Sequence, residues 1–181
     1  KDGCDVTEPA VIKMLTLSRG QNESRESVLK SLNIVPLVIA YELDPCDELK
    51  AAELSAGANY IKAEFEDVAS MSLGITGQKG RVHLHFGDPL DPELDVAGVV
   101  SAIDQQMVAY YRLYRTNVWA WEWLHGEKVP DFVTPHQGEI SESAFRLRIE
   151  AAPMQYRDQL LAMYANPVSR LLSETVATEG A

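Results

Sequence analysis

Cysteine is scarce: the 181 residues hold two, Cys4 and Cys46. Two thiols cannot build the cross-linked framework of a small secreted domain, and these two sit among carboxylates, in D-G-C-D and D-P-C-D-E-L. Neighbouring negative charge raises a thiol's pKa and quiets it, so both read as reduced cysteines. A metal site drawn from Asp2, Asp5, Asp44 and Asp47 would need distant segments to meet, and no ligand spacing supports it. No metal and no cofactor is expected. Positive charge is also short, with 16 Lys and Arg against 27 Asp and Glu and a net charge of −11. So acidic a surface repels polyphosphate backbones, and nucleic acid is not an expected partner. No apolar run approaches the ~20 residues that span a bilayer. The sequence opens on Lys1 with neither Met nor an apolar leader, and it is expected to be a piece of a longer chain. Repeats and low-complexity segments are missing too.

What is present is ordinary globular composition, 46% hydrophobic and 24% charged, which predicts a folded chain. Asp5-Val6-Thr7-Glu8 followed by Pro9 predicts a helix over 8–18, capped by Asp5. A second short helix is expected over 23–32. The run Asn33–Tyr41, N-I-V-P-L-V-I-A-Y, is continuous and β-branched, the pattern of a strand buried on both faces in a parallel sheet, with Pro36 near its start. Asp44-Pro45 predicts the N-cap and first turn of a helix, and another helical stretch is expected over 62–73. Gly74 to Gly80 reads as a loop and Arg81–Gly87 as a strand, in which Val82, Leu84 and Phe86 alternate with Arg81, His83 and His85. Asp95 caps a long helix, Thr116 a shorter one through Leu124, and the remainder reads as helices broken at Pro153 and Pro167. The expected architecture is α/β, a sheet flanked by helices, over residues 1–95, followed by a helical C-terminal region, 96–181, packed on it.

Three blocks, V-P-L-V-I-A-Y-E (35–42), D-P-C-D-E-L-K-A-A-E-L (44–54) and G-Q-K-G-R-V-H-L-H-F-G-D-P-L (77–90), resemble the phospholipid/glycerol acyltransferases. Ile34–Ile39 matches that family's hydrophobic Ile-Val-Pro-Val-x-Ile strand, and Lys1-Asp2-Gly3 is similar to the trailing edge of its Phe-Pro-Glu-Gly-x-x-Ser-Arg loop. The likeness covers roughly residues 1–125. It implies an enzyme that moves a fatty acyl group from a thioester carrier, coenzyme A or acyl carrier protein, to glycerol-3-phosphate or lysophosphatidate in phospholipid synthesis. It implies substrate-binding roles for Val35, Pro36 and Leu37, on a strand bordering the acyl or acceptor site, and for Lys1 near the acceptor's phosphate. The family's Asn-His-x-x-x-x-Asp block precedes these segments, so no catalytic residue is expected in this chain. Membrane association is expected through the upstream part, on the cytoplasmic side and peripheral to the inner face of the cell membrane. The competing reading is a non-catalytic α/β and helical interaction module.

His83 and Asp88 repeat the His-x-x-x-x-Asp spacing, but five residues of strand span ~16 Å and place the two side chains on opposite faces. They read as strand and turn, not as a dyad. The glycines at 74, 77 and 80 with Lys79 and Arg81 read as an exposed turn, because no helix start follows to hold a phosphate. Trp119, Trp121 and Trp123 read as packing residues of the C-terminal helices, with Trp119 and Trp123 on one helical face. His125 and His136 have no partners at ligand spacing.

Overall fold

Helical periodicity dominates the sequence, and in the computed structural model the chain is a helix-rich mixed α/β protein. Residues 2–4, 6–17 and 19–179 are described, with backbone alone at 176–179. In chain order the elements are α1 (Pro9–Leu15), α2 (Arg25–Ser31), β1 (Leu37–Tyr41), α3 (Asp47–Ala56), α4 (Glu66–Thr76), β2 (Val82–Phe86), α5 (Val96–Tyr110), α6 (Arg115–His125), α7 (Glu142–Ala151) and α8 (Arg157–Glu179). They form two compact units. The first holds Lys1–Cys4, Ala40–Val82 and Arg112–Ala181, and the second Asp5–Ile39 and His83–Tyr111.

The second unit is closed by Ile12 of α1, Leu29 of α2 and Val99 of α5, with Leu32, Ile34, Leu90, Leu94 and Ile103 packed around them. Its helices begin where short polar side chains cover free amides. Ser24 Oγ accepts from Ser27 N–H at 3.1 Å, and Asp95 Oδ1 from Gly98 N–H at 2.8 Å, the cap expected for α5. The cap expected for α1 at Asp5 lies outside the described residues; the N-cap of that helix is Glu8, which makes no capping bond.

The sheet differs from the parallel, doubly covered one the sequence suggests. Glu42 N–H donates to Arg81 O at 2.9 Å and Gly87 N–H to Pro36 O at 2.8 Å, so residue numbers rise in opposite directions and β1 and β2 are antiparallel. Val38 and Ala40 are buried, but Leu37 and Ile39 are 47% and 39% exposed. A continuous apolar run therefore supplies one inward and one outward face. In β2 the predicted alternation holds, and the polar side is the more covered one. His83 and His85 are half-covered, His85 stacking on Tyr110 of α5 at 4.0 Å, and Val82, Leu84 and Phe86 are the exposed side.

The first unit is built on α8, against which α6 and α3 pack, with Phe145 of α7 fully buried. Trp119 and Trp123 lie on the same side of α6 and meet Phe145, at 6.3 and 5.5 Å between ring centres, while Trp121 turns away to stack on His125. Thr116 is not the cap of α6. Asn117 Oδ1 accepts from Tyr114 N–H at 2.8 Å and closes that helix start, while Thr116 is buried within the first turn.

Nor does Pro167 break the chain, because α8 runs through it. A proline inside a helix leaves the carbonyl four residues earlier, here Met163 O, without its usual N–H partner. Gly3 lies over that oxygen with φ +79°, and a Cβ there would come within 2.1 Å of it. The surrounding strap is pinned by Asn166 Nδ2 donating to Asp2 O at 2.7 Å and Arg170 Nη1 to Cys4 O at 3.1 Å.

Candidate functional site

Of the residues singled out by sequence, Lys1 lies outside the described residues. Val35, Pro36 and Leu37 lead into β1, in the second unit. Pro36 is buried and offers its carbonyl to Gly87, a role that needs no N–H and so suits proline. Val35 and Leu37 point outward, 40% and 47% exposed. Period-two alternation adds Ile39 to the same side, and the antiparallel register sets Leu84 and Phe86 opposite Ile39 and Leu37. The second unit thus presents an apolar sheet face made of Val35, Leu37, Ile39, Leu84 and Phe86. Such a face can hold hydrocarbon.

Titratable chemistry concentrates in the first unit, at two places the sequence did not reveal. Glu42 ends the β1 run and is 1% exposed. Its Oε2 accepts from the backbone N–H of Arg81 and of Glu139, both at 2.9 Å, and its Oε1 from Ile140 N–H at 2.7 Å. Its own carbonyl accepts from Thr116 Oγ1 at 2.8 Å. Gly80, at φ +60°, and Gly138 let the backbone close on the carboxylate; a Cβ on either would lie within 2.5 Å of its oxygens. Burial, and then the charge of Glu42, push the nearby Tyr114 hydroxyl's pKa up.

The second place is Asp47, at the start of α3. Arg148 of α7 grips it with Nε to Oδ2 at 2.7 Å and Nη2 to Oδ1 at 2.8 Å, and Nη2 also reaches Asp44 O at 3.0 Å. Tyr164 of α8 donates its hydroxyl to Asp47 Oδ2 at 2.7 Å and accepts from Asp44 N–H at 3.0 Å. Burial works against the Arg148 charge, but the hydrogen bonds and charge of Asp47 outweigh it and hold the guanidinium protonated. Burial first, and Asp47 second, push the Tyr164 phenol far above its ordinary pKa. Asp44 is not the N-cap expected of it. It makes a turn onto Cys46 N–H at 2.9 Å and pairs with Lys50, and α3 begins three residues later, at Asp47.

The glycine stretch is not a loop throughout, since α4 runs to Thr76. Lys79 Nζ covers the end of that helix by donating to Ile75 O and Gly77 O, at 3.0 and 3.1 Å. Ser70 and Gly74 face Cys46, whose thiol donates to Ser70 O at 3.3 Å and is raised in pKa by burial and then by Asp44. On the other side of α4, Phe65, Val68, Met71 and Ile75 are between 59% and 79% exposed. Small residues face the protein and large apolar ones face solvent, the reverse of an ordinary surface helix.

Cys4 and Cys46 are not joined to each other in a disulfide. Among the described residues, no group of three or more His, Cys, Asp or Glu is arranged to hold a metal ion, and no helix is long and apolar enough to cross a membrane. Compared with known proteins, the chain matches no family model, and neither a curated protein nor a solved structure is significantly similar to it.

Proposed function

We propose that the chain is the C-terminal part of a glycerolipid acyltransferase, which carries a fatty acyl group from coenzyme A or acyl carrier protein to glycerol-3-phosphate or lysophosphatidate. The observation that supports it beyond the sequence resemblance is the outward sheet face of Val35, Leu37, Ile39, Leu84 and Phe86. Covering such a face with hydrocarbon gains about 25 cal/mol per Å² of apolar surface removed from water. The strand that the resemblance assigns to the acyl or acceptor site thus has the surface chemistry an acyl chain needs. Lys1 supplies a compact positive charge to the acceptor's phosphate. The general base belongs to the upstream His-x-x-x-x-Asp block. Its imidazole takes the acceptor hydroxyl's proton as the oxygen attacks the thioester carbonyl, and collapse of the tetrahedral adduct expels the carrier's thiolate.

The coding sequence before Lys1 tests this reading. Asn-His-x-x-x-x-Asp followed by Glu-Gly-x-x-Ser or Thr is expected there. The full reading frame should then form lysophosphatidate or phosphatidate from an acyl thioester and lose that activity when the upstream His becomes Ala. A start codon close to Lys1 with no such blocks removes the proposal. It would leave the non-catalytic interaction module, which the outward apolar stripe of α4 favours.

A further inference from the structure

Helix α4 is 11 residues long, and none of them is buried. A helix that short is marginal in water by itself, because nucleation costs more than a few turns of hydrogen bonds return, so its stability calls for a covered apolar face. The face left to cover is the outward one. Phe65, Val68, Met71 and Ile75 recur at helical spacing and are between 59% and 79% exposed, and Ile61, just ahead of the helix, is 90% exposed. At about 200 Å² for a wholly exposed side chain of this size, the five offer roughly 700 Å². That exceeds the roughly 300–600 Å² patch an ordinary monomer leaves bare and approaches the ~800 Å² that each partner gives to a stable complex.

Charge decides what covers it. The N-terminal end of α4 carries Glu64, Glu66 and Asp67 against Lys62, and Lys62 pairs with Asp67 at 2.6 Å, which leaves two carboxylates in excess. The C-terminal end carries Lys79, whose Nζ lies 3.0 Å from Ile75 O at the foot of the stripe. A second α4 laid parallel would set acid on acid. Laid antiparallel, it brings each Lys79 toward the excess carboxylates of the other copy and opposes the two helix dipoles. The stripe is self-complementary in that direction: a twofold axis at the level of Ser70 sets Phe65 against the second copy's Ile75 and Val68 against its Met71. Each chain carries a net charge of −11, but charges farther apart than about 8 Å are screened at physiological salt, so these local pairings set the orientation.

We propose that α4 is a homodimer interface, on which a second copy of this chain packs its own α4 antiparallel across a twofold axis and buries the apolar stripe. The inference does not rest on the acyl-transfer reading, and its failure leaves the upstream-sequence test untouched.

The experiment is sedimentation velocity of the full chain from about 1 to 100 μM at about 0.15 M salt, where a reversible dimer is expected. Val68 is 59% exposed, so Val68→Glu should weaken dimerisation about tenfold or more while leaving the melting temperature of the dilute protein unchanged. Lys79→Glu should weaken it about fivefold. Adding Glu64→Lys and Glu66→Lys to that variant should restore most of the affinity, which a mere loss of Lys79's bonds to its own helix would not allow. Four results would each overturn the proposal. They are a chain that stays monomeric at the highest concentration, Val68→Glu dimerising as tightly as the parent, and a triple variant no tighter than Lys79→Glu. The fourth is a longer reading frame that stays monomeric with its Val68 methyls shielded from solvent, which would give the stripe to an upstream segment.

Discussion

Arg148→Met is expected to destabilise the protein by about 3–5 kcal/mol, measured by urea unfolding, because it strands the Asp47 carboxylate in a buried site. Asp47 is 3% exposed and, among the described residues, keeps only the Tyr164 hydroxyl and Glu48 N–H once the guanidinium is gone. The partner change Asp47→Leu should cost a similar amount, since it leaves Arg148 half-covered beside apolar walls. Combined, the two should recover most of the loss, because a buried ion pair is worth little more than the apolar pair that replaces it; only breaking it is expensive. Strictly additive losses in the double variant would show that the two residues act separately. The same network gives an alkaline limit. Tyr164 stays neutral in the folded protein well above its ordinary pKa, whereas in the unfolded chain it ionises near 10. Its contribution is thus complete below that pH. Above it the unfolded chain sheds a proton that the folded one retains, so stability should fall with rising pH. Tyr164→Phe should flatten that decline while lowering stability at neutral pH.

Glu42→Gln is the second large effect, about 2–4 kcal/mol in the same assay, although the side chain barely changes shape. The carboxylate receives three amide N–H groups, two on Oε2 and one on Oε1. A glutamine that keeps its oxygen toward Arg81 and Glu139 turns an NH₂ against Ile140 N–H, setting donor against donor. A charge-assisted bond is worth about 1.5–3 kcal/mol, and leaving a buried donor unmet costs about 1–3. Glu42→Asp should be no better, because the shorter side chain cannot reach both sets of amides. Hydrogen exchange at Glu139 and Ile140 should quicken in either variant. Exchange as slow as in the parent protein would mean that the carboxylate does not hold this segment.

These two residues mark where reading the sequence stops. Caps and spacing are local, so Asp95 before an apolar-periodic run announced α5, and the i, i+4 pair Trp119 and Trp123 announced a packed face on α6. Glu42 is buried by amides 39, 97 and 98 residues away, and nothing beside it in the chain signals them. Nothing near Asp47 in the chain signals its partners either, because Arg148 and Tyr164 are more than 100 residues on. The strands show a different gap. Alternation reports that a strand has two unlike faces, but which face is covered depends on what packs there, and Tyr110 of α5 covers the histidines. Pro167 carried a true local penalty that longer-range contacts absorb: Asn117 Nδ2 donates to the Tyr164 carbonyl at 3.0 Å, and the Gly3 strap lies over Met163 O. Of the candidate substrate residues, Val35 and Leu37 were legible as apolar strand positions, but their exposure was not.

The strap over α8 constrains how this sequence can drift. Where position 167 is proline, Met163 O is left bare and only a residue without Cβ can lie on it with a positive φ. Where an ordinary residue at 167 restores the helical N–H, that oxygen is spoken for and the strap loses its seat. Homologous sequences should therefore keep or lose the glycine and the proline together, as a covarying pair 164 positions apart.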